Sequence, residues 1–506
     1  MEQYTGILGV IILLGIAYLM SNNRSLIDKN IIFWGLGLQI SFAFIILKTP
    51  LGKSLFSYFN IIIVKLISFA DAGSDFLFTS FIPDIGYHVA LVNFAFRALP
   101  VIIFFSSLIA VTYYFGIIQF IIKRISFIME KTMKTSGAET LSVSANIFVG
   151  QTEAPILIRP FIASMTKSEL MAVMVGGFAT VAGSVMALYV SWLNNIPNIA
   201  GHLLAASVMS APAALMIAKI IYPETESPKT ISSKSIIMKT KDTNAMDAIG
   251  RGATDGIKLA ANVAAMLIAF ISIVAMVNFI LGFGNTSLQE ILGILFKPIA
   301  WSMGVPWEEA KIVGTLMGEK IVLTELIAFG DLSNFIENNT LSERSSIIAS
   351  YALCGFANFG SIGIQLGGIG SMAPDRRSDL SNLVIKAMIG GALASWLTAG
   401  SAVTNLTSGA ATGYCPVSVT IPVGATYGFY VGVTSGSVQY TNGTGTPGVS
   451  TWFSNSDMTV TEGLGGAYPS PTYSPRCWNG TVHYGRGANT TSTISIPFNA
   501  RPEAVF

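Results

Sequence analysis

Charge is the first thing this chain has little of. Only 11% of its 506 residues are Asp, Glu, Lys or Arg, against about 25% in an ordinary soluble domain. Hydrophobic residues make up 52%, and the mean hydropathy is +0.61, so most of the chain faces lipid rather than water. A soluble cytosolic enzyme is excluded. The 29 basic and 27 acidic side chains leave a net charge of +2, with no excess to neutralise phosphates, so no nucleic-acid partner is expected. Cysteine is scarce too: three residues cannot staple a chain of this size. The three histidines, His88, His202 and His483, stand apart in the sequence, without spacing for zinc or for a nucleophilic triad. No enzymatic activity is expected.

What is present is a series of apolar runs. A bilayer-crossing helix needs about 20 apolar residues, and such runs are read at roughly 5–21, 30–48, 88–122, 171–191, 200–221, 258–283, 343–371 and 378–399. The first lacks the basic start and small-residue cleavage site of a signal peptide and is expected to be retained. The stretch 51–82, with Lys53, Lys65, Asp71 and Asp75 among Phe and Ile, reads as a helix lying in the interface. Basic residues follow every odd run: Arg24 and Lys29; Lys123, Arg124, Lys131 and Lys134; Lys219, Lys229, Lys234, Lys239, Lys241 and Arg251; Arg376 and Arg377. The positive-inside rule then puts these clusters on one side and both termini outside.

Two semi-polar regions rich in Gly, Pro and Thr remain, at roughly 136–165 and 306–335. Non-helical backbone at membrane depth is tolerated only where protein or a water-filled cavity satisfies it, so both read as re-entrant hairpins. From residue 401 to 506 there is no Lys at all, and Thr, Ser, Gly and Tyr dominate. Alternating stretches at 417–422, 428–433 and 491–497, with turn dipeptides such as Asn442-Gly443 and Asn479-Gly480, predict a small all-β domain of sandwich type. By the same topology it lies outside, where Cys415 and Cys477 could pair; spacing alone does not decide this.

The two halves of the membrane part repeat one another weakly. Gly150-Gln151-Thr152-Glu153-Ala154-Pro155 in the first hairpin answers Leu323-Thr324-Glu325-Leu326-Ile327-Ala328 in the second. Ser168-Glu169 answers Ser342-Glu343, and Gly177–Ser184 (GFATVAGS) answers Gly355–Ser361 (GFANFGS). The two sets begin from opposite sides, so the repeat is inverted, and inverted repeats with broken helices are the architecture of secondary transporters. A carboxylate at membrane depth costs about 2.5 kcal/mol or more, which marks Glu153 and Glu325 as functional unless a neighbouring hairpin satisfies them structurally. Helix N-termini and unwound carbonyls at hairpin tips hold polar groups and small cations. Asn358 and Ser361 share a helix face; taken alone, they could equally bond between helices. Gly363–Gly370 reads as a packing surface. Gly314–Lys320 (GTLMGEK) lacks the full nucleotide-loop pattern, and Cys354 reads as a small core residue.

The phrases Gly150–Pro155, Gly176–Val185 and Cys354–Asn358 closely resemble the concentrative nucleoside transporter family, over roughly residues 1–399 and in the family's order. The resemblance implies a homotrimer of eight-span protomers in a bacterial inner membrane. A mobile part (both hairpins and spans four, five, seven and eight) would slide like an elevator against a scaffold of spans one, two, three and six plus the interfacial helix. It implies a sodium-coupled nucleoside symporter. The base would be recognised by Gln151, Thr152 and Glu153 with Val185 and Phe356 nearby, and the ribose by Glu325, Asn358 and Ser361. Sodium would be held by Asn146, Val149, Thr180 and Val181, an oxygen set suited to a hard cation. Two alternatives remain at this point: proton coupling through a titrating glutamate, and an adhesin or lectin whose β domain is the working part. The chain departs from the family in having Thr324 where many members have Asn. It departs again in running from a membrane domain (1–400) into residues 401–506, whose Pro475–Gly480 phrase resembles exported bacterial surface modules.

Overall fold

In the computed structural model, the described residues are 2–78, 94–97, 99–230 and 242–403, together with the strand residues between 440 and 494. The chain divides into two units, Met1–Thr407 and Ser408–Phe506. In the first unit, α1 (Glu2–Leu19), α2 (Lys29–Lys48) and α3 (Pro50–Phe78) lead to the short α4 (Phe94–Arg97), then α5 (Leu99–Tyr114) and α6 (Ile117–Met133). Next come α7 (Gly137–Ala145), α8 (Glu153–Ile156), α9 (Arg159–Ile162), α10 (Lys167–Ala179), α11 (Gly183–Trp192) and α12 (Ile199–Ile221). The second half holds α13 (Ala245–Gly282), α14 (Leu288–Ser302), α15 (Ala310–Val322), α16 (Glu325–Glu337), α17 (Glu343–Leu353), α18 (Phe359–Met372) and α19 (Arg377–Val403).

Among the described residues, five helices are long and apolar enough to cross a membrane, or six if the bent pair α5–α6 counts as one span. The helical membrane character stands, while several of the eight runs read from hydropathy are divided among the described residues. The run at 88–122 is not one rod: its beginning lies outside the described residues, and α5 and α6 meet at 74°. Gly116 sits at that corner with φ of +79°, a conformation open to glycine. The run at 343–371 is interrupted at 354–358, giving α17 and α18. Gly355 makes this break, with φ of +143°. A Cβ there would lie 2.7 Å from the Phe178 carbonyl oxygen and 3.0 Å from Ala179. The breaks in the α10–α11 and α17–α18 pairs therefore pack directly against each other.

The core lies where α10, α12 and α19 meet. Most of α12 is buried along its length, Pro212 included. Peripheral α13 instead exposes Ile268 and Phe279, each at 72%, an apolar surface of the kind lipid or another membrane-embedded subunit covers. Polar side chains stitch the bundle inside: Gln39 Nε2 donates to Thr398 Oγ1 at 2.9 Å, and the Ser210 and Thr398 hydroxyls are 3.1 Å apart. The base of the first hairpin is fixed by a buried ion pair. Lys219 Nζ, near the end of α12, lies 2.9 Å from Glu139 and 3.3 Å from Glu224, and donates to Ser168 Oγ at 2.9 Å. Capping boxes begin α7 (Ser136/Glu139) and α10 (Thr166/Glu169), and Ser136 Oγ donates to Glu169 Oε1 at 2.6 Å. The second hairpin is tied at its own base, where Ser342 Oγ donates to Glu309 Oε2 at 2.9 Å.

The paired phrases read from the sequence meet matching local structure in one case and not in another. Glu153 and Glu325 each open the second arm of a hairpin, as first residues of α8 and α16. Ser168-Glu169, however, occupies the second and third positions of α10, whereas Ser342-Glu343 is the cap and first residue of α17. The dipeptides matched as strings, not as structural equivalents.

In the second unit, the described strands are β1 (Tyr440–Asn442), β2 (Thr451–Ser454), β3 (Thr459–Thr461), β4 (Gly463–Gly465), β5 (Tyr473–Trp478), β6 (Val482–Arg486) and β7 (Thr490–Ile494). They form an antiparallel three-stranded sheet in the order β1-β5-β4 and two separate pairs, β2-β3 and β6-β7. Among the described residues the sandwich expected for 401–506 finds no support: the strands form one three-stranded sheet and two separate pairs. The alternating stretches at 417–422 and 428–433, and Cys415 with its pairing to Cys477, lie outside the described residues.

Candidate functional site

Glu325 is the centre of a buried polar set. Its position at the first turn of α16 is set by Thr324, whose side chain caps the helix by accepting from Ile327 N at 3.4 Å. The departure at position 324 is thus explained locally: the threonine hydroxyl serves the helix end, as N-cap residues do. Glu325 is buried. Tyr189 in α11 donates its phenol to Oε1 at 3.0 Å, and Asn358 Nδ2 donates to Oε2 at 2.7 Å. Tyr189 is itself held by stacking on Phe329, with ring centroids 4.1 Å apart. Asn358 also caps α18, its Oδ1 accepting from Ser361 N at 2.7 Å. Its amide orientation is fixed from both ends.

The first hairpin reaches this set through Gln151. Gln151 Nε2 lies 3.2 Å from Ser361 Oγ, and Gln365 Nε2 lies 3.1 Å from Gln151 Oε1. Four expected residues, Gln151, Glu325, Asn358 and Ser361, are therefore joined across segments more than 200 positions apart in sequence. Thr152 packs its methyl group against α18 at Gly368, which leaves no room there for a side chain. Of the glycine-rich stretch, Gly368 makes this close approach, whereas Gly363 and Gly367 face open space. Val185 is buried in α11, and Phe356 is half-buried in the break before α18. Glu153 behaves differently from Glu325. It is exposed, its carboxylate folds over Gly150, and among the described residues no hydrogen bond joins it to the Glu325 set.

The expected ion ligands lie in two segments, after α7 and at the break between α10 and α11, that one backbone hydrogen bond joins. Asn146 donates its Nδ2 to Ser142 O at 3.1 Å, which leaves Oδ1 buried and, among the described residues, without a hydrogen-bond partner. A buried unpaired acceptor is costly and fits a cation. Val149 and Val181 lie in non-helical turns, where their carbonyls are outside the helical ladder. Thr180 spends its hydroxyl hydrogen on Gly176 O at 3.0 Å, leaving its lone pairs available. Gly183 N donates to Phe148 O at 3.1 Å, tying the turn of the first hairpin to the start of α11. An amide oxygen, a hydroxyl and two carbonyls suit sodium.

Comparison with known proteins identifies the family. Models described as the Na+ dependent nucleoside transporter N-terminus and C-terminus match residues 8–81 and 202–403, and a model described as nucleoside recognition matches residues 95–195. The chain belongs to the sodium-dependent nucleoside transporter family. It is 42% identical to an uncharacterized transporter of Haemophilus influenzae, over 79% of this chain and 97% of that protein. It is 40% identical to sodium/nucleoside cotransporter 1 of Rattus norvegicus, again over 79% of this chain but spanning 63% of the relative. The solved structure of CNTnw in an inward-facing substrate-bound state superposes with a TM-score of 0.74 at 41% identity, covering 80% of this chain and 98% of that one. Family membership thus attaches to the helical unit, and the family models stop at residue 403.

Three buried polar residues in and near the site were given no role from sequence. Tyr189 and Gln365 are described above. Lys320 is fully buried in α15, donating to Ala352 O at 2.9 Å and Ser395 Oγ at 2.7 Å. Its segment, 314–320, is helical throughout, so it forms no phosphate loop. Gln365 had a readable signal, lying four residues after Ser361 on the same face of an apolar helix. Tyr189 and Lys320 had none beyond being polar in apolar surroundings.

Proposed function

We propose that this chain binds a nucleoside at the Glu325–Asn358–Ser361–Gln151 set and sodium at Asn146, Val149, Thr180 and Val181, and carries both across a membrane by alternating access. The family supplies sodium-coupled nucleoside transport. The observation that carries the placement is the hydrogen-bonded path joining the first hairpin, α18 and the second hairpin. A ribose offers hydroxyls that both donate and accept, which suits the Glu325 carboxylate and the Asn358 and Ser361 side chains. A nucleobase offers a polar edge and a flat apolar face, which suit Gln151, Thr152 and Glu153 beside Val185 and Phe356.

Coupling follows from the connection between the two sites. Asn146 and Val149 lie just upstream of Gln151–Glu153, and Thr180 and Val181 just upstream of Val185. An ion that closes these turns positions the base-reading groups, so ion and nucleoside each favour the state that the other binds. The apolar outside of α13 is the surface for lipid and for neighbouring copies in a trimer. The membrane is a bacterial inner membrane, with both termini outside the cytoplasm, and no covalent chemistry is involved.

The test is labelled uridine uptake into proteoliposomes under a sodium gradient, with potassium replacing sodium, on the parent chain and on Glu325→Gln. Sodium-dependent uptake that the substitution abolishes is the expected result. Uptake driven only by a proton gradient would overturn the ion assignment. Uptake that survives Glu325→Gln would overturn the ribose site. Ending the chain at Val403 is expected to leave uptake in place; its loss would return the working role to residues 404–506.

A further inference from the structure

We propose that Gln365 sets the base preference of this transporter by deciding which way round the Gln151 side-chain amide lies. The proposal rests on the reading that Gln151 faces the nucleobase. Gln365 Nε2 lies 3.1 Å from the Met174 carbonyl oxygen, a group that can only accept. The Gln365 atom on that side must therefore be its nitrogen, whatever the density of packing around it. The same nitrogen lies 3.1 Å from the Gln151 side chain, so the Gln151 atom facing it must be the oxygen. The Gln151 nitrogen is thereby turned to Ser361 Oγ, 3.2 Å away, and Ser361 accepts from it.

The hydrogen bonds thus run in one direction, from Gln365 to Met174 and Gln151, and from Gln151 to Ser361. Both Gln365 N–H groups are used, and its own Oε1 is buried without a partner. One N–H of Gln151 is left, and the Ser361 hydroxyl hydrogen is freed for the ligand. Gln151, Ser361 and Gln365 are all buried, at 6%, 3% and 1% exposure, so bulk water cannot substitute for a lost partner. Gly177 leaves the space for this arrangement: a Cβ there would sit 2.7 Å from Gln365 Nε2 and 3.0 Å from Gln151 Cβ. With Gln365 donating, the Gln151 amide presents a hydrogen donor to the base and favours a carbonyl edge over an amino edge.

Uridine and cytidine differ at that edge, as do inosine and adenosine: a carbonyl beside an N–H against an amino group beside a bare ring nitrogen. The experiment measures Vmax/KM for both pairs in proteoliposomes holding the full chain, under a sodium gradient. The parent chain is expected to favour uridine over cytidine and inosine over adenosine. Gln365→Met keeps the bulk, removes the donor and frees the Gln151 amide to turn, so the ratio should fall about tenfold, the scale of one oriented hydrogen bond. Gln365→Glu in its carboxylate form can only accept, forces Gln151 to donate to it, and should carry the ratio to the amino-bearing bases. Competition binding on purified protein gives the same ratios where a variant transports poorly. Ratios unchanged in both variants, however far total uptake falls, would overturn the proposal and reduce Gln365 to packing. A parent preference for the amino-bearing bases would overturn the donor assignment. A parent chain with no nucleoside uptake would overturn the function itself, a different result from an active transporter with fixed ratios.

Discussion

The phenol of Tyr189 donates a 3.0 Å hydrogen bond to Oε1 of Glu325, a residue 136 positions away in the sequence. A hydrogen bond to a buried charged group contributes about 1.5–3 kcal/mol. It links α11 to the opening turn of the second hairpin, where the acid proposed to bind the ribose is placed. Tyr189→Phe keeps the stacking on Phe329 and removes only this bond. Nucleoside KM is expected to rise by about tenfold or more, with sodium dependence retained; uptake kinetics in proteoliposomes check it, and an unchanged KM would remove Tyr189 from the site.

Asn146 carries a buried acceptor with no hydrogen-bond partner among the described residues. Asn146→Ala is expected to raise the sodium concentration for half-maximal uptake by an order of magnitude or more, and to weaken nucleoside binding with it, because coupling is reciprocal. Sodium titrations of uptake and of nucleoside binding read both effects. A variant with the parent sodium dependence would move the ion elsewhere.

Lys320 holds Ala352 O and Ser395 Oγ from the inside of α15. Lys320→Met leaves both groups buried without their donor and removes the positive charge on the arm that leads to Glu325. Thermal unfolding in detergent should show the midpoint falling by several degrees, for a loss of about 1–3 kcal/mol per stranded group. Ser395→Ala alone should cost less, since the Ala352 contact survives.

The Glu139–Lys219 pair is buried on both sides, at 1% and 5% side-chain exposure. Removing one partner of such a pair costs about 3–5 kcal/mol, whereas replacing both by apolar groups of similar size is often neutral. Lys219→Met is therefore expected to destabilise strongly, and Glu139→Leu combined with Lys219→Met to recover much of the loss. Unfolding midpoints of the two single variants and the double variant decide whether the pair fixes the hairpin base. A double variant no better than the singles would show that the neighbouring Glu224 and Ser168 contacts matter more.

Gly355 combines a φ of +143° with a missing side chain against the Phe178 carbonyl. Gly355→Ala is expected to separate the two helix breaks. Folded protein recovered from membranes should drop, with loss of uptake in what remains. Normal yield and uptake would mean that the break tolerates a shift of backbone.

Much of this protein was legible in the sequence because the signals are local. Hydropathy marked the helices, Gly, Pro and Thr marked the interruptions, and two Thr-Glu phrases marked the residues that open α8 and α16. The failures were also local in origin. A continuous apolar run cannot announce the corner at Gly116 or the break at Gly355, since hydropathy averages over backbone direction. A matched dipeptide such as Ser168-Glu169 and Ser342-Glu343 carries no information about helix register. Alternating strands in 401–506 could suggest strands but not how sheets stack.

By itself the sequence determined a helical membrane chain with two interrupted hairpins, and it named Gln151, Glu153, Glu325, Asn358 and Ser361 as polar groups too costly to bury without purpose. Only the tertiary structure decided that Glu325 is enclosed by Tyr189 and Asn358 while Glu153 stays exposed. It alone placed Lys320 inside the second hairpin and set Gln365 behind Gln151. The physical reason is that composition and periodicity act through neighbours along the chain. A hydrogen bond's partner, and the direction in which it donates, are fixed only when packing brings distant segments within about 3 Å.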